Sequence, residues 1–237
     1  RGRKKVLPEG SYRPSVTLVI AARNEEKRIQ KKLENTLGID YPRDLLEVIV
    51  ASDASTDRTD DIVRAHADRG ITLVRAPGRR GKEFAQRCAM DKATGEILVF
   101  SDVDTMIETG GIARIVSNFS DPTVGCVSSE DRVLDEQGHV SGEGAYVRYE
   151  MWLRSLETQV NSVVGLSGSF FAARAEVCRD WPITIPSDFN TLLNSVRLGL
   201  RGVSDPSSIG VYTTIEDENK EFDRKVRTIT RGISALM

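Results

Sequence analysis

The chain has 237 residues, with 33 basic and 35 acidic side chains, a formal net charge of −2, 39% apolar residues and 29% charged ones. That is the balance of a globular chain with enough length for one substantial core, and near-neutral charge disfavours a dedicated nucleic-acid binder, which carries a basic face. Cys88, Cys126 and Cys178 are odd in number and too widely spaced for a disulfide framework or a CxxC metal site, which points to a reducing compartment.

In chain order, Ser15–Ala22 (SVTLVIAA) reads as a buried strand. Asn24 is placed to cap a following helix, in which Ile29, Leu33 and Leu37 recur every four residues on one face. Leu46–Ala51 reads as a second strand. Thr56 or Asp57 can cap the next helix, where Ile62, Val63 and His66 share a face. Ile71–Arg75 reads as a third strand, Glu83–Ala93 as a helix with Phe84 and Cys88 on one side, and Glu96–Ser101 as a fourth strand. Such alternation predicts an α/β fold with a doubly wound, mostly parallel sheet. Further on, Ile112–Phe119 is expected to be helical and Val124–Ser128 a strand. Tyr146–Val160 suits an amphipathic helix, and Asp188–Leu200 another helix ended by Gly199 or Gly202. No internal repeat or domain linker interrupts this order.

The apolar runs, of which Val16–Ala22 and Leu45–Ala51 are the longest, stay far short of the roughly 18 residues of a membrane span. Both ends are basic. Arg1-Gly2-Arg3-Lys4-Lys5 opens the sequence, and Arg224, Lys225, Arg227 and Arg231 precede Met237. Two readings fit: solvated tails, or a cytoplasmic domain lying between membrane segments, by the positive-inside tendency.

Ligands of an open α/β sheet bind outside the carboxyl ends of its strands. Here each of the first strands is followed by a polar cluster. These are Arg23-Asn24-Glu25, then Ser52-Asp53-Ala54-Ser55-Thr56-Asp57, then Gly78-Arg79-Arg80-Gly81-Lys82, then Asp102-Val103-Asp104. Topology alone therefore gathers carboxylates, arginines and a lysine on one edge. That edge suits an anionic ligand held partly through Mg²⁺ or Mn²⁺, which bridge carboxylates to phosphates. Taken singly, an Asp-x-Asp spacing also suits a strand-end turn, and Asp57 a helix cap. No GxGxxG follows the first strand, Gly81-Lys82 lacks the rest of a P-loop, no GxSxG occurs, and His66 and His139 have no partner at metal-ligand spacing.

Read together, VTLVIAARNEE, VIVASDASTD, RRGKEFAQ and VFSDVDT resemble the successive nucleotide-site motifs of family 2 glycosyltransferases. GLSGSFFAARAEV, PSDFNTLLNSVRLGLRG and the basic EFDRKVRTITRG extend the likeness over roughly residues 15–232. The resemblance implies the GT-A fold and an inverting sugar transfer from a nucleotide sugar, with UDP-sugars favoured, to a saccharide or lipid-linked acceptor, assisted by Mn²⁺ or Mg²⁺. It implies a basic arm at 1–14, a catalytic domain at 15–220 with nucleotide (15–105) and acceptor (106–220) halves, and a basic, juxtamembrane C-terminal helix at 221–237.

Residue by residue, the resemblance lays Ala22 and Glu25 along the nucleotide, Asp53 on the base and Lys82 near the donor. Asp104 becomes the main metal ligand, with Asp102 nearer the ribose or sugar, and Asp188 the catalytic base, against its plain reading as a helix cap. Ser167, Gly168 and Ser169 fall on the acceptor side, and Arg224, Arg227 and Arg231 near the diphosphate. Membrane association, on the cytoplasmic face, would come through segments flanking this sequence. The pattern is not complete. Ser52 and Ser187 stand where the family carries an acidic residue before Asp53 and Asp188, and no Q-x-x-R-W signature of processive synthases occurs. Addition of one or a few sugars is the expectation. The rival readings are a non-catalytic sugar-nucleotide-binding partner and a sugar-phosphate nucleotidyltransferase, whose Gly-rich basic loop after the first strand is replaced here by Ala22-Arg23-Asn24-Glu25.

Overall fold

The computed structural model describes residues 12–134 and 145–213. Its strands are β1 (Val16–Ala22), β2 (Leu46–Ser52), β3 (Ile71–Arg75), β4 (Ile97–Asp102), β5 (Met106–Ile107), β6 (Val124–Leu134), β7 (Phe170–Arg174) and β8 (Arg201–Thr213). Its helices are α1 (Ile29–Leu37), α2 (Thr59–Arg64), α3 (Lys82–Met90), α4 (Gly111–Ser117), α5 (Ala145–Val160) and α6 (Ser187–Arg197). One sheet runs β3-β2-β1-β4-β7-β6-β8-β5. The β3-β2-β1-β4 half is parallel, β7 is antiparallel to both β4 and β6, and β8 runs parallel to β6.

The parallel half follows from its sequence. β1, β2 and β4 are near-continuous apolar runs because helices cover both of their faces. Successive side chains alternate between those faces. Leu18, Ile20, Val48, Val50 and Val99 join Ile29, Leu33, Val63, Ile112 and Ile115 in one core layer. Val19, Ile49, Leu98 and Phe100 join Ala85, Ala89, Trp181 and Leu192 in the other. In that second layer the Phe100 ring stacks on Phe171 at 4.8 Å and on Trp181 at 5.2 Å between centroids. Each fully buried side chain of this size stabilises the fold by about 1.5–3 kcal/mol.

The register sets the active edge. Ala22 pairs with Ser52, Ser52 with Arg75, and Ala21 with Asp102, so these strands end level and their polar loops emerge side by side.

Two local expectations are corrected. Asn24 does not cap α1, which starts at Ile29. It adopts φ 52° and its Oδ1 accepts the Thr56 N–H at 2.9 Å, joining two strand-end loops. Phe84 and Cys88 share a half-buried side of α3, where the Phe84 ring carries the Arg80 guanidinium at 4.2 Å, while the buried face is Glu83, Ala85, Gln86 and Ala89. β6 continues past Ser128 to Leu134, and β8, thirteen residues long, was not foreseen at all. Asp57 does serve the start of α2, its Oδ1 accepting the Thr59 N–H at 3.0 Å and the Thr59 hydroxyl at 2.6 Å.

Candidate active site

The level strand ends enclose a cavity of about 430 Å³ lined by Ala22, Arg23, Glu25, Asp53, Arg79, Lys82, Asp102 and Asp104, among others. All donor-side residues named from the sequence that fall within the described residues meet here. Two of the loops are strained: Asn24 and Ala54 hold φ values of 52° and 50°. A left-handed conformation costs a non-glycine residue about 1–2 kcal/mol, and such strain concentrates at functional sites.

Asp53 is buried, and its carboxylate accepts the backbone N–H groups of Arg80, at 2.9 Å, and Gly81, at 3.1 Å. It thereby folds the loop between β3 and α3 over the cavity. Gly81 sits at φ 101°, which a side chain would strain. Arg23 donates from Nη1 to the Asp53 carbonyl at 2.7 Å and so fixes the same turn from the other side.

Lys82, the first residue of α3, reaches across the cavity. Its Nζ lies 2.5 Å from Asp102 Oδ1 and donates to the Gly168 carbonyl at 3.1 Å. Burial alone would lower the Lys82 ammonium, but Asp102 more than offsets it and holds the group above its usual value. Burial also raises the Asp102 carboxyl, and Lys82 pulls it part of the way back. Both side chains keep about a third of their surface open, 31% and 35%, so an anionic ligand can contact the pair.

Asp104 is exposed at the rim. Glu25 is held by Arg28 through bonds of 2.8 and 3.0 Å, while burial raises its carboxyl. Among the described residues no three His, Cys, Asp or Glu side chains gather closely enough to enclose a metal. Asp104 and Asp102 offer carboxylate oxygens of the kind that a hard divalent ion favours.

Lys32 was missed in the sequence. Its side chain is fully buried on the inner face of α1, beside Ile29, Leu33 and Thr36. Its Nζ donates to Ser101 Oγ at 2.7 Å and, closely, to the Thr105 carbonyl, beneath the Asp102-Val103-Asp104 turn. Burial pulls its ammonium down to about 7, although Asp102 and Asp104 favour the charged form. Asn35, one turn on, braces the same segment by bonding both the carbonyl and the N–H of Ile107 at 2.9 Å. The signal was available: Lys32 is a charge inside the apolar stripe of an amphipathic helix.

On the other side of the cavity runs the segment Ser167-Gly168-Ser169. Its Ser169 carbonyl accepts the Asp102 N–H at 2.9 Å, tying it to the end of β4. Asp188, the second residue of α6, packs its carboxylate against Gly168, where a Cβ would meet Oδ2 at 3.2 Å. The amino end of α6 favours a negative charge there. Arg224, Arg227 and Arg231 lie outside the described residues.

Residues 17–181 match the sequence family described as glycosyl transferase family 2. The chain belongs to glycosyl transferase family 2. Among curated relatives, this family 2 chain is 27% identical over 170 residues to a "Beta-monoglucosyldiacylglycerol synthase" of Synechocystis sp., covering 68% of this chain and 36% of that protein. It is 28% identical over 193 residues to a "Pre-mycofactocin glycosyltransferase" of Mycobacterium tuberculosis, covering 79% of this chain and 38% of that one. The chain thus spans little more than a third of the length of these relatives. Among solved structures it resembles the mannosyltransferase PcManGT of Pyrobaculum calidifontis, in complex with GDP-Man and Mn²⁺. The TM-score is 0.78, with 31% identity, covering 91% of this chain and 61% of that one. The fold of this family 2 chain is GT-A, as the resemblance implied.

Proposed function

We propose that the protein is an inverting glycosyltransferase. It moves a sugar from a nucleoside-diphosphate donor to a hydroxyl of a saccharide or lipid-linked acceptor by metal-assisted single displacement. The observation that carries this reading is that one segment, Ser167-Gly168-Ser169, is in contact with Lys82, with Asp102 and with the Asp188 carboxylate. In the proposed reaction these are the groups that act at the leaving diphosphate and at the attacking hydroxyl.

In this mechanism Ala22, Glu25 and Asp53 flank the nucleotide, and Lys82 meets the diphosphate as negative charge develops there. Asp104, with Asp102, would hold Mn²⁺ or Mg²⁺, which when bound neutralises the leaving diphosphate. Asp188 takes the acceptor hydroxyl proton. The oxygen forms its bond to the anomeric carbon as the bond from that carbon to the diphosphate oxygen breaks, and the electron pair leaves with the nucleoside diphosphate. A single displacement inverts the anomeric centre, so an α-linked donor gives a β-linked product.

UDP-sugars are the donor that the sequence resemblance favours. The GDP-Man of the 31% identical archaeal relative makes GDP-mannose an equal first choice. The diacylglycerol in the name of one group of relatives supports a lipid acceptor and work at a membrane. No helix among the described residues is long and apolar enough to cross one. The test is nucleoside-diphosphate release from UDP-glucose, UDP-N-acetylglucosamine and GDP-mannose, with Mn²⁺ or Mg²⁺ and membrane extract as acceptor source. Release from at least one donor is expected, and silence with all of them contradicts the reading.

A further inference from the structure

We propose that Asp131, on β6, is the positioning residue that sets the catalytic base against the donor site, by clasping the two serines that flank Gly168. The inference rests on the glycosyl-transfer reading above and extends it to a residue outside the donor edge.

The geometry is specific. The Asp131 carboxylate accepts both serine hydroxyls, Ser167 Oγ at 2.7 Å on Oδ2 and Ser169 Oγ at 2.5 Å on Oδ1. The two hydroxyl oxygens lie 3.0 Å apart, so the carboxylate spans them as a two-pronged clasp. From the same strand, Ser128 Oγ accepts the Ser167 N–H at 2.8 Å, and the Arg154 guanidinium of α5 donates to that oxygen at 3.3 Å. β8 makes room for the clasp. Gly210 pairs with Asp131, and a Cβ there would come within 3.5 Å of Asp131 Oδ1 and 2.9 Å of Thr105 Cγ2.

Three of the groups the proposed reaction uses, Lys82, Asp102 and Asp188, meet at this short segment. Its Gly168 carbonyl orients Lys82, its Ser169 carbonyl holds the Asp102 N–H, and Gly168 leaves the space against which Asp188 lies. β4 and α6 approach the segment from different parts of the fold. The spacing between diphosphate cation and base is therefore set where the segment is fastened, and a hydrogen bond to a charged group fastens more strongly than a neutral one. Burial raises the Asp131 carboxyl, and the two hydroxyls oppose that rise. Because both hydroxyl protons point to Asp131, the serines serve the loop before they serve an acceptor.

The test compares Asp131→Ala and Asp131→Asn with the wild type in sugar transfer, nucleoside-diphosphate affinity by calorimetry, and thermal midpoint. Asp131→Ala is expected to lower kcat by about 10²-fold, the usual consequence of roughly 1 Å of misplacement, with nucleotide affinity unchanged. Asp131→Asn is expected to restore transfer to within about tenfold of wild type, because an amide accepts one hydroxyl and donates to the other oxygen. If Asp131→Ala does not fold, Ser169→Ala removes one prong and is expected to lower kcat by about tenfold on the same argument. Wild-type kcat in whichever of these variants folds overturns the proposal. So does an Asn variant as poor as the Ala variant, or nucleotide affinity falling in step with kcat. A wild type that moves no sugar from any donor overturns the glycosyl-transfer reading and this inference with it. An active wild type matched by Asp131→Ala overturns the inference alone.

Discussion

Asp188→Asn is expected to lower sugar transfer by about 10²–10⁴-fold, the range over which a positioned general base contributes, while nucleoside-diphosphate affinity stays within error of wild type. The substitution is nearly isosteric. It keeps the packing of Asp188 against Gly168 and its place in the first turn of α6, so the fold has no reason to change. What it removes is a proton acceptor. An amide cannot take the proton of the attacking hydroxyl, and no enzymic nucleophile is invoked that could carry the reaction by another route. The plain structural alternative, Asp188 as a capping residue, predicts a different pattern: a loss of about 1 kcal/mol of stability with transfer intact. The structure puts Pro186 at the cap position of α6 and Asp188 inside its first turn. Thermal melts beside initial rates separate the two, and full transfer by Asp188→Asn would remove Asp188 from the mechanism.

Asp104→Ala is the second large effect expected, a fall of about 10²–10³-fold in nucleoside-diphosphate release, comparable to losing one preorganised electrostatic group in a transition state. The reasoning is one of division of labour between two neighbouring carboxylates. Asp102 has one oxygen 2.5 Å from Lys82, so its charge is already partly matched inside the protein. Asp104 stands exposed at the rim. With so few protein ligands to offer, the site has no substitute for Asp104. Titration with Mn²⁺ is the check. Wild-type release is expected to rise with metal and saturate. Asp104→Ala is expected to respond weakly at every concentration, and its nucleotide affinity to lose most of its dependence on metal. A variant as responsive to Mn²⁺ as wild type would place the ion elsewhere.

How far the site could be read ahead of the structure depended on whether its parts were local. β1, β2, β3 and β4 each announce themselves through a short apolar run, and a parallel register then fixes where Glu25, Asp53, Lys82, Asp102 and Asp104 emerge. Ser167, Gly168, Ser169 and Asp188 were recognisable only through family likeness. β8 was invisible for a physical reason. Ser204–Ser208 is polar and contains Pro206, which reads as a loop. Its flanks pair with β6, Ser204 with Ser128 and Ile209 with Glu130, and the residues between them bulge out of the ladder inside one long strand. Asp131 was lost with it, since β6 was expected to stop at Ser128, three residues short. Lys32 was overlooked because a lysine on a helix is ordinarily solvated. Only the packed structure shows it sealed beneath the Asp102–Asp104 turn.

The most direct test of the central claim, a single displacement driven by one carboxylate base, is the anomeric configuration of the first product. Proton-coupled carbon NMR of the transferred sugar, started from an α-linked nucleotide sugar, reads it from the one-bond coupling between the anomeric carbon and its proton, which separates the anomers of mannose as well as of glucose. The account predicts a β-linked product from the earliest time point. An α-linked product would contradict it, because retention requires either a second displacement or attack from the leaving-group face, and neither is possible with Asp188 acting as the only base.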